Sequence, residues 1–425
     1  MTAVLGILNK QGVAIAADSA VTISGSNGRK IFNTANKIFT LSKYHPIGIM
    51  IYNSASLMLT PWETIIKTYR KHLGNQSFET VKQYQENFIA FISDNNFFTT
   101  IDIQKHLFRE FATNNVVELS NQALQDGTIE LTGIEDEDKA TVINYLKVQL
   151  QNLRNTFILD TTFSNKFETY TQESFNIFTE GIIENVCNSV FPGIDDNELI
   201  NLIKESFYLY MKSRRYITSS TGIVFVGFGE KEIYPCSVAL QVAEAFDNKL
   251  RYFIDREEAI SDSNNGSIMP FAQRDVIDTI ITGINPELDQ TYKETYKDFL
   301  TKYNQYIAEL VEPTNKLLAE NIRNLDLNTL VNQFSEQINQ LKNDRHIKPT
   351  VDTVAILSKE DLAEMAESLI YLTYLKRRMS FAEESVGGPV DVAIISKGDG
   401  FIWIKRKHYF KPELNQHFFK NYFLQ

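Results

Sequence analysis

A threonine that follows the initiator methionine can carry most of a hydrolytic apparatus on one residue, and Thr2 occupies that position. Once Met1 is removed, which the small Thr2 side chain permits, the hydroxyl becomes a nucleophile. The free α-amine, titrating at about 8, can take its proton directly or through water. Such a nucleophile needs supporting charges. A nearby ammonium lowers the pKa of both hydroxyl and amine, and a carboxylate fixes that ammonium and balances its charge.

The carboxylate can be placed from the sequence. Residues 2–8 and 13–17 are two apolar, strand-like runs separated by Asn9-Lys10-Gln11-Gly12, a hairpin signal. With the turn centred on Lys10 and Gln11, antiparallel register sets Ala3 opposite Asp18 and Thr2 opposite Ser19. Asp18 is thereby delivered beside Thr2.

The elements that must hold this hairpin follow along the chain. After a Gly/Ser/Asn turn at 24–28 come strand-like runs at 37–41 and 47–51, so the opening is β-rich. From Pro61 the spacing turns helical, over 63–72 and about 78–92. Residues 97–215 are long, polar and mostly helical, with Val142, Leu146, Leu150, Leu153 and Phe157 on one stripe, and read as an insertion. Sheet patterning resumes at 222–228, passes a charged turn at 229–232 and returns over 237–242. A polar loop at 261–267 precedes a second helical block, about 274–342. Ser358 with Asp361 marks a helix start, and Leu362, Ala366, Leu369 and Thr373 give that helix a face of small and apolar residues. Then come Ser385-Val386-Gly387-Gly388-Pro389, a strand over 390–395, a turn at 397–400 and a last strand over 401–404. This order predicts an α+β chain with a core in three pieces, 1–96, 216–275 and 346–410. Helical insertions at 97–215 and 276–345 interrupt it, and 411–425 forms a tail.

The opening resembles the proteasome β-subunit family of N-terminal nucleophile (Ntn) hydrolases. In that family a processed N-terminal Thr heads a strand, a Gly-Val turn leads into a second strand, and that strand ends in Ala-Ala-Asp-Ser. Here those elements stand as Thr2, Gly12-Val13 and Ala16-Ala17-Asp18-Ser19, with the family's interval from nucleophile to aspartate. The resemblance implies a four-layer αββα sandwich, here carrying two large helical insertions. It also implies an essential lysine at a Lys-Ile step. Lys37-Ile38 fits and is favoured by the strand-like run that follows it; Lys30-Ile31 is the competing assignment. The C-terminal form Ser385-Val386-Gly387-Gly388-Pro389-Val390-Asp391 is closest to bacterial relatives called ancestral β subunits. By that likeness Ser385 hydrogen-bonds near the terminal amine, with Glu383 or Glu384 as the supporting carboxylate. Where the family has a Gly-Gly oxyanion loop, this chain has Ile51-Tyr52-Asn53-Ser54-Ala55. A backbone donor does not require glycine, so Tyr52 or Asn53 is expected to supply the N–H.

The resemblance thus implies a threonine-type peptidase or amidase acting on a peptide or amide substrate, with no cofactor. It also implies self-assembly through helical faces into a homo-oligomer, with a separate unfoldase or regulator open as a partner. Two alternatives stand beside it: a catalytically degenerate scaffold or regulator, and a small-molecule amidase.

Bulk properties bound the remaining classes. A chain of 425 residues that is 43% hydrophobic can bury a large core, and a net charge of −11 argues against nucleic acid and anionic membrane as partners. No apolar run approaches the roughly 20 residues of a membrane span, and nothing near residue 1 reads as a signal peptide, so the expected compartment is the cytoplasm. Cys187 and Cys236 lack the spacing of a metal knuckle or redox pair, and the histidines show no paired ligand spacing, so no metal site is expected.

Overall fold

The computed structural model describes residues 3–25, 28–125, 129, 132–133, 135–159, 167–193, 196–214, 220–379, 386–408 and 410–417. The chain opens with the hairpin β1 (Val4–Asn9) and β2 (Gly12–Ala17), paired from Val4↔Ala17 to Asn9↔Gly12, the register read from the sequence. Asn9 closes the turn: its Oδ1 accepts from the N–H groups of Gln11 and Gly12, and its Nδ2 donates to the carbonyls of Val354 and Leu357. A short ribbon, β3 (Val21–Gly25) and β4 (Gly28–Phe32), leads to β5 (Ile38–Thr40) and β6 (Ile47–Asn53). The two-residue strands β7 (Ser56–Leu57) and β8 (Thr60–Pro61) turn the chain into α1 (Trp62–Leu73) and α2 (Val81–Asp94).

Among the described residues there follow α3 (Ile101–Gln125), α4 (Glu135–Ile158), α5 (Gln172–Phe178), α6 (Ile182–Val190) and α7 (Asn197–Lys212). They close around an aromatic core of their own, in which Phe108 meets Phe175, Phe178 and Phe207, and Phe246 of the following sheet enters that core. Next come β9 (Thr221–Gly227), β10 (Cys236–Phe246), β11 (Lys249–Ala259) and β12 (Gly266–Phe271). The second helical stretch comprises α8 (Asp275–Thr282), α9 (Pro286–Val311), α10 (Lys316–Arg323) and α11 (Asn328–Lys342). A π-turn over Asn343–Ile347 joins α11 to α12 (Lys348–Ile356), which is followed by α13 (Lys359–Arg378). The strands β13 (Asp391–Ser396) and β14 (Gly400–Lys405) complete the sheets.

The fold is α+β, with two five-stranded antiparallel sheets ordered β12-β1-β2-β13-β14 and β11-β10-β9-β6-β5. Side chains alternate faces along a strand, and both faces of this sheet are covered, which explains why β1 and β2 carry no polar side chain except Asn9. Leu5, Ile7, Ala14 and Ala16 pack with Val354, Leu362, Ala366 and Ile370 of α12 and α13. Val4, Leu8, Val13 and Ile15 meet Met50, Val224 and Val226 of the other sheet. That second sheet turns Ile49, Ile51, Ile223 and Phe225 toward Trp62, Tyr69 and Phe88 of α1 and α2.

One feature departs from the sequence reading. The expected loop at 261–267 ends as strand: Gly266 and Ser267 already pair with Asn9 and Leu8, so β1 has a neighbour on both sides. Its polar start hides a strand whose later residues, Ile268 to Phe271, are buried. The expected boundary at 345/346 falls within an unbroken helical run from α11 through the π-turn into α12.

At α13 the expected cap is a full capping box, with Ser358 Oγ accepting from the Asp361 N–H and the Asp361 carboxylate accepting from the Ser358 N–H. Ser358→Ala is expected to lower stability by about 1 kcal/mol in urea denaturation. An unchanged midpoint would show that the buried face of Leu362, Ala366, Leu369 and Thr373 alone fixes the helix start.

Candidate active site at the head of the first hairpin

The β1–β2 ladder runs one residue past its last pair, because Asp18 donates its N–H to the Ala3 carbonyl at 3.1 Å. Asp18 is 1% exposed, and its two oxygens tie four chain segments together. Oδ1 accepts from the Ala3 N–H at 2.9 Å and from Lys37 Nζ at 2.6 Å. Oδ2 accepts from the N–H groups of Ala20 and Gly387, each at 3.1 Å. Lys37 is 3% exposed and also donates to the Ala20 carbonyl at 2.6 Å. Burial pushes the Lys37 ammonium below its ordinary pKa, an effect that Asp18 opposes.

The elements explain why Lys37, and not Lys30, reaches Asp18. Lys37 immediately precedes β5, and its carbonyl accepts from the Ile51 N–H at 2.9 Å, which anchors it to β6. Lys30 lies exposed on β4 and stands over the Phe32 ring.

The turn at Gly387-Gly388 closes the site from the C-terminal side. Ser19 donates its N–H to the Gly387 carbonyl at 3.0 Å, and its hydroxyl donates to the Pro389 carbonyl. Gly388 has φ +75, and a Cβ there would lie 2.9 Å from that of Asn33, so both backbone shape and space require glycine. Beyond the turn, the buried Asp391 accepts from the backbone N–H of Lys407 at 2.8 Å and pairs with the Lys407 ammonium. The sequence reading missed this second ion pair; its only signal was an acidic residue opening the apolar run of β13.

The structure separates the two oxyanion candidates. Since the Ile51 N–H points at Lys37, alternation along β6 sends the Asn53 N–H to that same side and the Tyr52 N–H toward β9, where Tyr52 faces Gly222. Asn53 has φ 68 and ends the strand. Tyr52 is instead a packing residue. Its ring stacks on Phe271 at 5.5 Å, its hydroxyl accepts from Gln241 Nε2 at 2.7 Å, and burial pushes its pKa up to about 12. It also lies so close over Gly222 that a Cβ there would come within 1.9 Å of the ring. Of the two expected donors, Asn53 is the one whose N–H lies on the Lys37 side of β6. Thr2, Ser385, Glu383 and Glu384 lie outside the described residues.

Other chemistry finds little support among the described residues. They contain no group of three or more His, Cys, Asp and Glu able to hold a metal ion, and none of their helices is long and apolar enough to cross a membrane. Burial pushes the Cys187 thiol up to about 11 and the Cys236 thiol up to about 12, far from nucleophilic range. Compared with known proteins, the sequence matches no family model and no curated protein.

Proposed function

We propose that this chain is an Ntn hydrolase with the four-layer αββα architecture of proteasome β subunits, and that Thr2 cleaves a peptide or amide bond. The observation that carries the reading is the buried Asp18–Lys37 pair, held at 2.6 Å where β1 begins. A surface ion pair would need no explanation, but two charges taken out of water at the residue after Thr2 impose a desolvation cost that packing alone does not require.

In the proposed reaction the Thr2 hydroxyl oxygen attacks the carbonyl carbon and its proton passes to the α-amine. The Asn53 N–H donates to the oxyanion. Collapse breaks the C–N bond, and the leaving amine takes the proton. Water, deprotonated by the same amine, then hydrolyses the ester and returns the Thr2 hydroxyl. Lys37 lowers the pKa of the nucleophile, Asp18 orients Lys37, and Ser385 assists at the amine. No cofactor takes part.

Intact mass and an N-terminus-reactive β-lactone test this reading. The expected result is a chain lacking Met1 that gains one probe at Thr2, with labelling lost in Thr2→Ala. Retention of Met1, or an unlabelled Thr2 under conditions that label a control threonine peptidase, overturns it. A scaffold role would then stand in its place.

A further inference from the structure

The arm formed by α9, α10 and α11 buries little of its apolar surface. In α9, 26 residues and about 39 Å long, only Ala308 is fully buried. The arm's own contacts use one face of α9. Tyr296 stacks on Phe334 of α11 at 4.1 Å, Lys342 binds Asp289, and Asn304 donates to the Ile322 carbonyl of α10. At 100° per residue, a second face lies about a quarter-turn away. It carries Tyr292, Phe299, Tyr303, Tyr306 and Leu310, which are 53–60% exposed.

These five, with Tyr296 among them, recur at alternating steps of four and three residues, the pattern of a coiled-coil seam. A fully buried aromatic side chain covers about 150–250 Å², so these four aromatics and Leu310, about half exposed, leave roughly 500 Å² uncovered. A contiguous apolar stripe of that size matches the largest patch of a typical monomer, about 300–600 Å², which is often a functional surface.

We propose that its partner is a second copy of this chain, bound antiparallel along α9. The seam pairs with itself in more than one register, and charge selects among them: setting Phe299 against Tyr303 would bring Lys302 beside Lys302 of the other copy, whereas the favoured register sets opposite charges together. In the favoured register Phe299 of one copy meets Leu310 of the other, and Tyr303 meets Tyr306, each twice by symmetry. The same register sets Lys302 beside Glu309 across the seam, again twice, and Leu300 beside Ile307 on the opposite flank. A parallel pair would set Lys302 against Ile307 and forgo the contact between Lys302 and Glu309. The four seam residues that meet in this register supply roughly 400 Å² from each copy, and the Leu300–Ile307 and Lys302–Glu309 flanks bring the total toward the roughly 1,000 Å² of a small stable interface. This inference stands apart from the hydrolase reading, since α9 contains none of the residues assigned to that site.

Sedimentation of the full chain tests it. The expected species is a dimer. Tyr303→Glu, at an exposed position where folding is not at stake, should raise its Kd by about 30-fold or more. Lys302→Glu should also weaken it, and adding Glu309→Lys should restore it. Under mild oxidation, a mixture of Tyr303→Cys chains with Tyr306→Cys chains should form a disulfide-linked heterodimer that neither variant forms alone. A chain that stays monomeric at tens of micromolar, because another protein or nothing covers the stripe, overturns the proposal. So does an oligomer that survives Tyr303→Glu.

Discussion

Asp18→Ala is expected to destabilise the chain by about 3–5 kcal/mol, because it leaves the buried Lys37 ammonium without its counter-charge. It also removes the acceptor for the N–H groups of Ala3, Ala20 and Gly387. Lys37→Met should cost less, since Asp18 would keep those three backbone donors. The order is testable by urea denaturation, and equal losses would mean that Asp18 does nothing beyond balancing Lys37. Activity should rank differently. On the proposed mechanism both variants lose turnover by about 10²–10⁴-fold, because neither retains a positioned ammonium beside the nucleophile.

The pH dependence follows from the direction of the Lys37 shift. Its folded pKa lies below the ordinary 10.5, so on raising the pH the folded chain gives up this proton before the unfolded chain does. Between those two values the unfolded state binds more protons, and stability rises with pH. The Lys37 contribution is thus complete above 10.5 and is lost as pH falls through the folded pKa. Lys37→Met should abolish that rise.

Arg251→Met is expected to cost a comparable 3–5 kcal/mol, at a place unrelated to the chemistry. Arg251 is fully buried on β11, and its guanidinium joins the sheet to the helical body. It donates to the carbonyls of Tyr210, Met211 and Ser213 at 3.0–3.3 Å and pairs with Glu244 at 2.5 Å. Those carbonyls lie at or just past the C-terminal end of α7, where the helix dipole favours a cation. Methionine would take the guanidinium away from the buried Met211 carbonyl and leave the half-buried Glu244 without its counter-charge. Far-UV circular dichroism should show α3–α7 melting ahead of the sheets in the variant. A single transition at the original midpoint would contradict this role.

The sequence made the hairpin legible because β1 and β2 are apolar on both faces and their turn fixes a register, which alone puts Asp18 next to Ala3. The α13 cap was legible for the same local reason, Ser358 three residues before Asp361. Lys37 was reachable only through resemblance, since nothing between residues 19 and 37 says how the chain returns. The strands β11 and β12 were illegible because their patterns are mixed: β11 alternates charged residues along a sheet edge, and β12 begins on Gly266-Ser267. The Asp391–Lys407 pair and the Arg251 clamp join residues whose partners are set by the packing of distant elements, which no local spacing reports.

The unbroken passage from α11 through the π-turn into α12 has a mechanical consequence. A projecting arm attached by a loop would swing freely, but this one is attached by a continuous rod. The rod ends where α12 lies against the sheet, with a Cβ on Gly266 coming within 2.9 Å of the Val351 carbonyl and Asn9 of β1 donating to the Val354 and Leu357 carbonyls. The arm is therefore a lever whose short end bears on the Asn9 end of β1, the strand whose opposite end adjoins Ala3 and Asp18.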